Sequence, residues 1–452
     1  MSLSAEVLLA DARGGRLLRM LGVGFGIAVG VGATIGAGIL RTPGEVAGYM
    51  GTAGLTLAVW LVGGLYTLLC ASSVTELATM LPRAGGWYVY AARAFGRRIG
   101  FVAGCCDWMN QTVGLAFVSV ALGEFIAELH PGLASHETVI AIAALSALTL
   151  LNLTGLKVGS RTQNVTSLVK ALALVTLVIG CFMIPPGAAS THSAVNLQTH
   201  STGLLISSVL ALQAVVVTYD AWYTPMYFAE ENKSPATDLP RSMLGTVLSC
   251  IAIFLLINAA LIHALGMEQL QAAKAPAAQA ALAAFGRYGK QIIQAISIVT
   301  LISCDNATLL TAPRVLYGMA RDGLLPSALA DTNQGGTPAW ALLLCLAVSS
   351  VLILSGTLET LIAIDSVLVV AVYVFGFSSL LRLRQREPRL PRPYKTWWYP
   401  WSTLCVLTVS LGFLFGTVVG DLKHSLFTIF LLLLSYLAAR RIVPPTRAES
   451  ST

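Results

Sequence analysis

The chain has 452 residues, of which 56% are hydrophobic and 11% charged, less than half of the roughly 25% charge that a water-soluble protein carries. It lacks the polar surface to enclose itself in water, and the apolar density runs from about Leu21 to Ala439 with no interval polar enough to cover a separate soluble domain. The net charge of +7, from 28 Lys and Arg against 21 Asp and Glu, is spread over short intervals between apolar runs, so no nucleic-acid partner is expected.

An α-helix crossing about 30 Å of hydrocarbon needs roughly 20 mostly apolar residues. Backbone polar groups in lipid demand helices here, because no alternating barrel-strand pattern is present. In chain order this predicts twelve spans, near 20–48, 53–81, 99–128, 137–156, 162–185, 203–229, 242–266, 289–318, 338–356, 358–381, 398–420 and 424–440. Glu6 and Asp11 interrupt the start, and the run from Met20 to Leu40 is too long for a secretory signal peptide, so the first span is expected to stay attached. All eight cysteines fall in apolar stretches, where a thiol serves as a small hydrophobe; neither disulfides nor a metal or cofactor is expected.

Lys and Arg in short loops set orientation. The loops on the N-terminal side hold Arg83, Arg93, Arg97 and Arg98 before span 3 and the run from Arg382 to Lys395 before span 11, among others, whereas the opposite side holds Lys274, Arg287, Lys290 and Lys423. Both termini are therefore expected in the cytoplasm and the chain in the plasma membrane or bacterial inner membrane. The same bias makes these basic runs topology determinants.

Span 1 carries Gly22, Gly24, Gly26, Gly30, Gly32, Gly36 and Gly38. Such a density serves either close helix packing or unwinding, since each glycine weakens a helix by about 1 kcal/mol relative to alanine. The stretch Ile35-Gly36-Ala37-Gly38-Ile39 lies at mid-span, where unwound backbone is tolerated only if it lines a cavity. Span 6 is also irregular: Tyr219-Asp220-Ala221-Trp222 is followed by Pro225, which removes a donor and disfavours helix before it. If ten spans divide into five and five, the second half runs opposite to the first, and span 6 is the counterpart of span 1.

These residues resemble the amino acid, polyamine and organocation (APC) superfamily, in particular bacterial relatives of the L-type amino acid transporters. Ile35 to Ile39 is similar to its I-G-[SA]-G-I break, and Glu76 to Tyr90 to its span 2 loop signature. Tyr219 to Trp222, Glu230-Glu231 and Asp238-Leu239-Pro240-Arg241 are similar to its Y-x-G-W, E-E and D-L-P-R series, and Pro313 to Pro326 to the end of its span 8.

The resemblance implies an all-α membrane protein with a leucine-transporter-type 5+5 inverted repeat, broken spans 1 and 6, and two additional C-terminal spans. It divides the chain into a tail (1–19), a first repeat (20–185), a second repeat (203–381), spans 11 and 12 (398–440) and a second tail (441–452). The implied activity is secondary active transport of amino acids by alternating access, sodium-independent, by proton symport or exchange. The implied substrate site comprises Ile35, Gly36, Ala37, Gly38 and Ile39 with Val217, Tyr219, Asp220, Ala221 and Trp222. Two positions depart from the family: Val217 stands where a gating aromatic is usual, and Ala221 where the span 6 glycine is usual.

Three polar residues complete the candidate site as a coupling group: Lys170, Ser303 and Asp305. Lys170 lies eight residues into span 5, where a charge costs several kcal/mol unless paired or hydrated. It either snorkels to the inner interface or, as the resemblance implies, takes the place of a sodium ion between spans 1 and 8. Asp305 has no Lys or Arg within eight residues, so its compensation must come from another helix: Lys170, or a hydrogen-bond network in the core. Asp107, Glu76 and Asp365 are expected to support packing or to sit near span ends. None of the six histidines falls at a span centre and no Gly-x-Ser-x-Gly motif occurs, which argues against an intramembrane enzyme. A channel or nutrient receptor on the same scaffold is the alternative.

Overall fold

The computed structural model describes residues 17–36, 38–129, 131–133, 135–187 and 203–443. Ala37 and most of both tails therefore lie outside the described residues. In chain order the α-helices are α1 (Val23–Thr34), α2 (Gly38–Met50), α3 (Ala53–Met80), α4 (Trp87–Phe95), α5 (Arg97–Ala127), α6 (Glu137–Leu153), α7 (Leu156–Met183) and α8 (Leu204–Thr218). They continue with α9 (Pro235–Ala272), α10 (Pro276–Phe285), α11 (Gly289–Arg321), α12 (Ala339–Ser355), α13 (Leu358–Arg386), α14 (Trp401–Gly420) and α15 (Leu422–Ile442). Among the described residues no strand forms; there are only two isolated bridges, one of which ties Leu21 to Asn232.

Among the described residues eight helices are long and apolar enough to cross a membrane, and the bent pair α1–α2 makes up to nine; α6, α8 and α12 are shorter apolar helices. What marks these as bilayer helices is an inverted polarity. α7 buries Gln163, Ser167 and Lys170 while Leu168, Leu172, Val175 and Ile179 are exposed. A helix in water would turn its apolar stripe inward; here the solvent for the outer face is hydrocarbon. The chain is a multi-pass membrane protein.

Local chemistry sets the helix ends. Thr52, Thr357 and Asp421 each accept a hydrogen bond from a backbone N–H of the first turn they precede, and Pro235 and Pro276 open α9 and α10, where the missing N–H is no loss.

The glycines of span 1 divide between both readings. On α1, Gly26, Gly30 and Gly32 serve packing: a Cβ on Gly30 would overlap Thr246 of α9, and one on Gly32 would overlap Gln163 of α7. Beyond Thr34 they serve unwinding. α1 and α2 meet at a bend of 56°.

Candidate functional site

The first break follows from the end of α1. Ile35 leaves helical geometry at φ −80°, ψ 87°, and α2 restarts at Gly38. The last carbonyls of α1 and the first N–H groups of α2 thus lose their intrahelical partners at one place. Two of the freed carbonyls are taken by Lys170, whose Nζ donates to Gly32 O and Ile35 O at 2.7 Å each and lies 3.9 Å from Cys304 Sγ. The lysine is fully buried. A cation against the negative end of a half-helix is the favourable arrangement, and it rules out snorkelling: the ammonium points to the protein interior.

Around it runs a polar network. Gln163 donates to Ser167 Oγ at 3.1 Å and to Ser303 Oγ at 3.2 Å, Ser167 donates to Ala28 O at 2.7 Å, and Asn306 donates to Gln163 Oε1 at 2.8 Å. Ser303 thus joins the network built on α1, α7 and α11.

Asp305 does not. Its Oδ2 accepts from Ser119 Oγ of α5 at 3.0 Å, and its Oδ1 has no hydrogen-bond partner. Among the described ion pairs none joins Lys170 to Asp305, so the lysine is compensated by carbonyl dipoles instead. Helix rotation explains it: at 100° per residue, Ser303 and Cys304 face α1 and α7, while Asp305 is turned onward to α5.

The second break begins where α8 ends. Tyr219 to Trp222 form turns, and a 3₁₀ segment, Thr224–Phe228, carries the chain on. Ala221 takes a left-handed conformation at φ +66°, so the chain unwinds here even without the usual glycine. A non-glycine residue there costs about 1–2 kcal/mol, against roughly 0.5–1 kcal/mol of extra chain entropy for glycine. Ala221→Gly is therefore expected to leave the fold intact and to raise thermal stability by at most about 1 kcal/mol, measured by thermal melting; a loss of stability would mean that the alanine methyl group makes a contact worth more than the strain.

The two breaks adjoin. Thr218 Oγ1 donates to Thr42 Oγ1 of α2 at 3.2 Å, and a Cβ on Gly38 would stand 3.4 Å from Thr218 Cγ2. Asp220 Oδ1 accepts from the hydroxyl of Tyr373 on α13, and Trp222 packs in an aromatic cluster with Tyr223 and Tyr373, ring centroids 5.5 and 5.9 Å away.

Other expected positions are placed differently. Tyr219 is fully buried, donating to Trp60 O at 3.3 Å and packing 4.7 Å from Phe254, so it braces α3 and α9 rather than facing the break. Val217 is 65% exposed and closes over nothing. Ile35 and Ile39 are fully buried, leaving only their backbone for the break.

Sequence reasoning missed Tyr373, the aromatic partner of Asp220, because nothing in the order of residues ties α13 to a break 153 positions earlier. It also did not pair the charges of its own motifs. Glu231 is held by Arg314 at 2.6 and 2.7 Å with both side chains buried, Glu230 by Arg321 at 2.7 Å, and Asp322 by Arg83 at 2.7 Å. Glu76, expected to support packing, is buried between Arg384 at 2.6 Å and Arg392 at 3.1 Å.

A family model described as amino acid permease matches residues 25–436. The serine/threonine exchanger SteT of Bacillus subtilis is 28% identical over 413 residues, covering 90% of this chain and 92% of the relative. The Asc-type amino acid transporter 1 of Mus musculus is 28% identical over 378 residues, covering 81% of this chain and 70% of the relative. The large neutral amino acids transporter small subunit 2 of Homo sapiens is 27% identical over 380 residues, with the same coverage of 81% and 70%.

Proposed function

This chain belongs to the amino acid permease family, and from that premise we propose that it is a secondary active transporter that moves amino acids across the cell membrane by alternating access. The relatives are transporters and exchangers, and the protein is not an enzyme. Its fold is read as twelve spans: α1 with α2, α3, α5, α6, α7, α8 with the 3₁₀ segment, α9, α11, α12, α13, α14 and α15. The first ten form two inverted repeats of five, and both termini are cytoplasmic. Two breaks that fall in the first span of each half support this reading.

The observation that carries the proposal is the pair of adjoining breaks with one set of backbone ends already occupied. Lys170 takes the carbonyls of α1, which leaves the N–H groups at the start of α2 as the free donors. A half-helix N-terminus favours an anion, so the stretch Gly36, Ala37 and Gly38 is assigned to the substrate carboxylate, with the donors from Gly38 onward because the N–H of Gly36 is taken by Thr34 O at 3.0 Å, and with Asp220, Ala221 and Trp222 lining the side opposite. Lys170 and Ser303 form the coupling group. A protein-borne cation where other transporters bind sodium makes transport independent of sodium, by proton symport or by exchange.

Uptake into proteoliposomes tests this, with serine, threonine and large neutral amino acids first in the panel because the relatives are named for them. Saturable uptake that is accelerated by unlabelled amino acid on the far side is expected. A channel would not saturate, and a receptor would move nothing.

The placement of the site has its own test. A Cβ at Gly38 meets only ordinary contacts, at 3.4 Å or more, so Gly38→Ala should fold. The branched side chain of Gly38→Val must instead enter the space before the α2 donors. Losing one hydrogen bond to a charged group costs about 1.5–3 kcal/mol, so binding should weaken roughly ten- to a hundredfold in a ligand-dependent thermal shift. Wild-type affinity in Gly38→Val would move the carboxylate site elsewhere.

A further inference from the structure

The loop between α13 and α14 carries more positive charge than its ion pairs consume. Glu76 takes Arg384 and Arg392 and accepts from the backbone N–H of Thr396 at 2.7 Å, and Arg384 lies 4.1 Å over the ring of Tyr399. Arg392 also donates to the carbonyls of Glu387, Pro388 and Leu390 at 2.8 to 2.9 Å. These bonds bolt the loop to α3 and fix its shape. Glu387, the one acid of the segment 383–400, is taken by Arg93 at 2.8 Å.

What remains exposed is Arg382, Arg386, Arg389 and Lys395, of which Arg386 is tied to Ala94 O at 3.3 Å and the other three are left for a ligand, with Arg440 and Arg441 at the same end of α15, which packs against α13 and α14. Directly after them stand Trp398, 78% exposed, and Trp401, 75% exposed. Exposed tryptophan at a helix end marks the headgroup level of a bilayer. From Trp401 the exposed face of α14 continues through Leu404, Leu411 and Phe415, an apolar track leading from the charged end toward the far side.

We propose that this rigid loop is a binding site for the headgroup of an anionic phospholipid, with the phosphate on Arg382, Arg389 and Lys395, the glycerol level at Trp398 and Trp401, and an acyl chain along α14. A charge that served only to orient the chain during insertion would need no fixed loop geometry, whereas this loop is pre-shaped by a buried carboxylate. The inference goes beyond the transport reading and does not depend on it.

The test is lipid binding to the purified full-length protein in a neutral detergent, followed by native mass spectrometry and thermal shift, with phosphatidylglycerol and phosphatidylcholine of identical chains. Phosphatidylglycerol is expected to bind at least tenfold more tightly. Each basic residue near an anionic surface contributes a factor of about five, so Arg382→Gln, Arg389→Gln and Lys395→Gln combined should cost about a hundredfold, while the melting temperature without lipid stays that of the wild type. Should the triple variant not fold, Lys395→Gln alone is expected to lose about fivefold. Equal affinity for both lipids, or unchanged phosphatidylglycerol binding in the variants, would overturn the site and leave these charges as topology determinants. Inorganic phosphate at millimolar concentration should not displace the lipid; full displacement would make this a free-phosphate site and overturn the lipid assignment.

Discussion

Lys170→Ala is expected to abolish uptake, by at least about a hundredfold, while Lys170→Met loses transport with less damage to the fold. The alanine removes one of the largest fully buried side chains and leaves the carbonyls of Gly32 and Ile35 with only the weak thiol donor of Cys304, at 3.4 and 3.7 Å. An unsatisfied buried carbonyl costs about 1–3 kcal/mol, and the cavity adds to that. Methionine fills the volume and isolates the charge as the variable. If a cation at the end of α1 holds the break in shape for substrate, both variants fail in transport; both lose the donor to Gly32 O and Ile35 O, and the alanine protein, which adds a cavity to that shared loss, melts below the methionine protein. Uptake by the wild type should not respond to sodium at fixed pH and membrane potential. A steep rise with sodium, or wild-type transport in Lys170→Met, would remove Lys170 from the coupling group. Asp305→Asn is the matched control: because Asp305 bonds Ser119 and not Lys170, the substitution should leave the pH dependence of uptake unchanged.

Glu231→Gln should be the most destabilising single exchange at the end of the bundle where α1 begins, by about 3–5 kcal/mol, the cost of leaving a buried charge without its partner. The guanidinium of Arg314 is held on one edge by both oxygens of this carboxylate, lies 4.4 Å over the ring of Phe228, and is buried. Deleting both charges is a different matter, because the desolvation cost of a buried pair offsets much of its attraction. The double variant Glu231→Leu with Arg314→Met should therefore melt above Glu231→Gln. Equal melting of wild type and Glu231→Gln would show that the pair is open to solvent. The pair also fixes chain position: the backbone of Glu231 accepts from Leu21 N at 3.1 Å, which joins the entry to α1 to the segment after the second break.

Much of this protein was legible in its sequence, for identifiable reasons. Few charges and long apolar runs allow only helices in a bilayer, and the glycines around Ile35 to Ile39 left packing and unwinding open until the resemblance of that stretch to a known break favoured unwinding. Lys170 stood out because a lysine in an apolar run demands a partner. Pro225 and the turn-forming residues before it gave the second break. All of these are properties of a segment by itself.

Partners are not such a property. Periodicity says which residues share a face of one helix, but not which helix packs there. The sequence left Asp305 between Lys170 and a hydrogen-bond network in the core, and the packing of α7 against α1 gives the lysine carbonyls while Asp305 takes Ser119. Asp305, one residue beyond Cys304 and two beyond Ser303, is turned to α5. Tyr219, next to a break residue, looks away from the break into the contact with Trp60 and Phe254, whereas Tyr373 reaches it from α13. Ala221 shows the same division. Local propensity argues against a left-handed alanine by about 1–2 kcal/mol, a cost small enough for the surrounding helices to impose it, so the degree of unwinding at the second break was decided by tertiary packing alone.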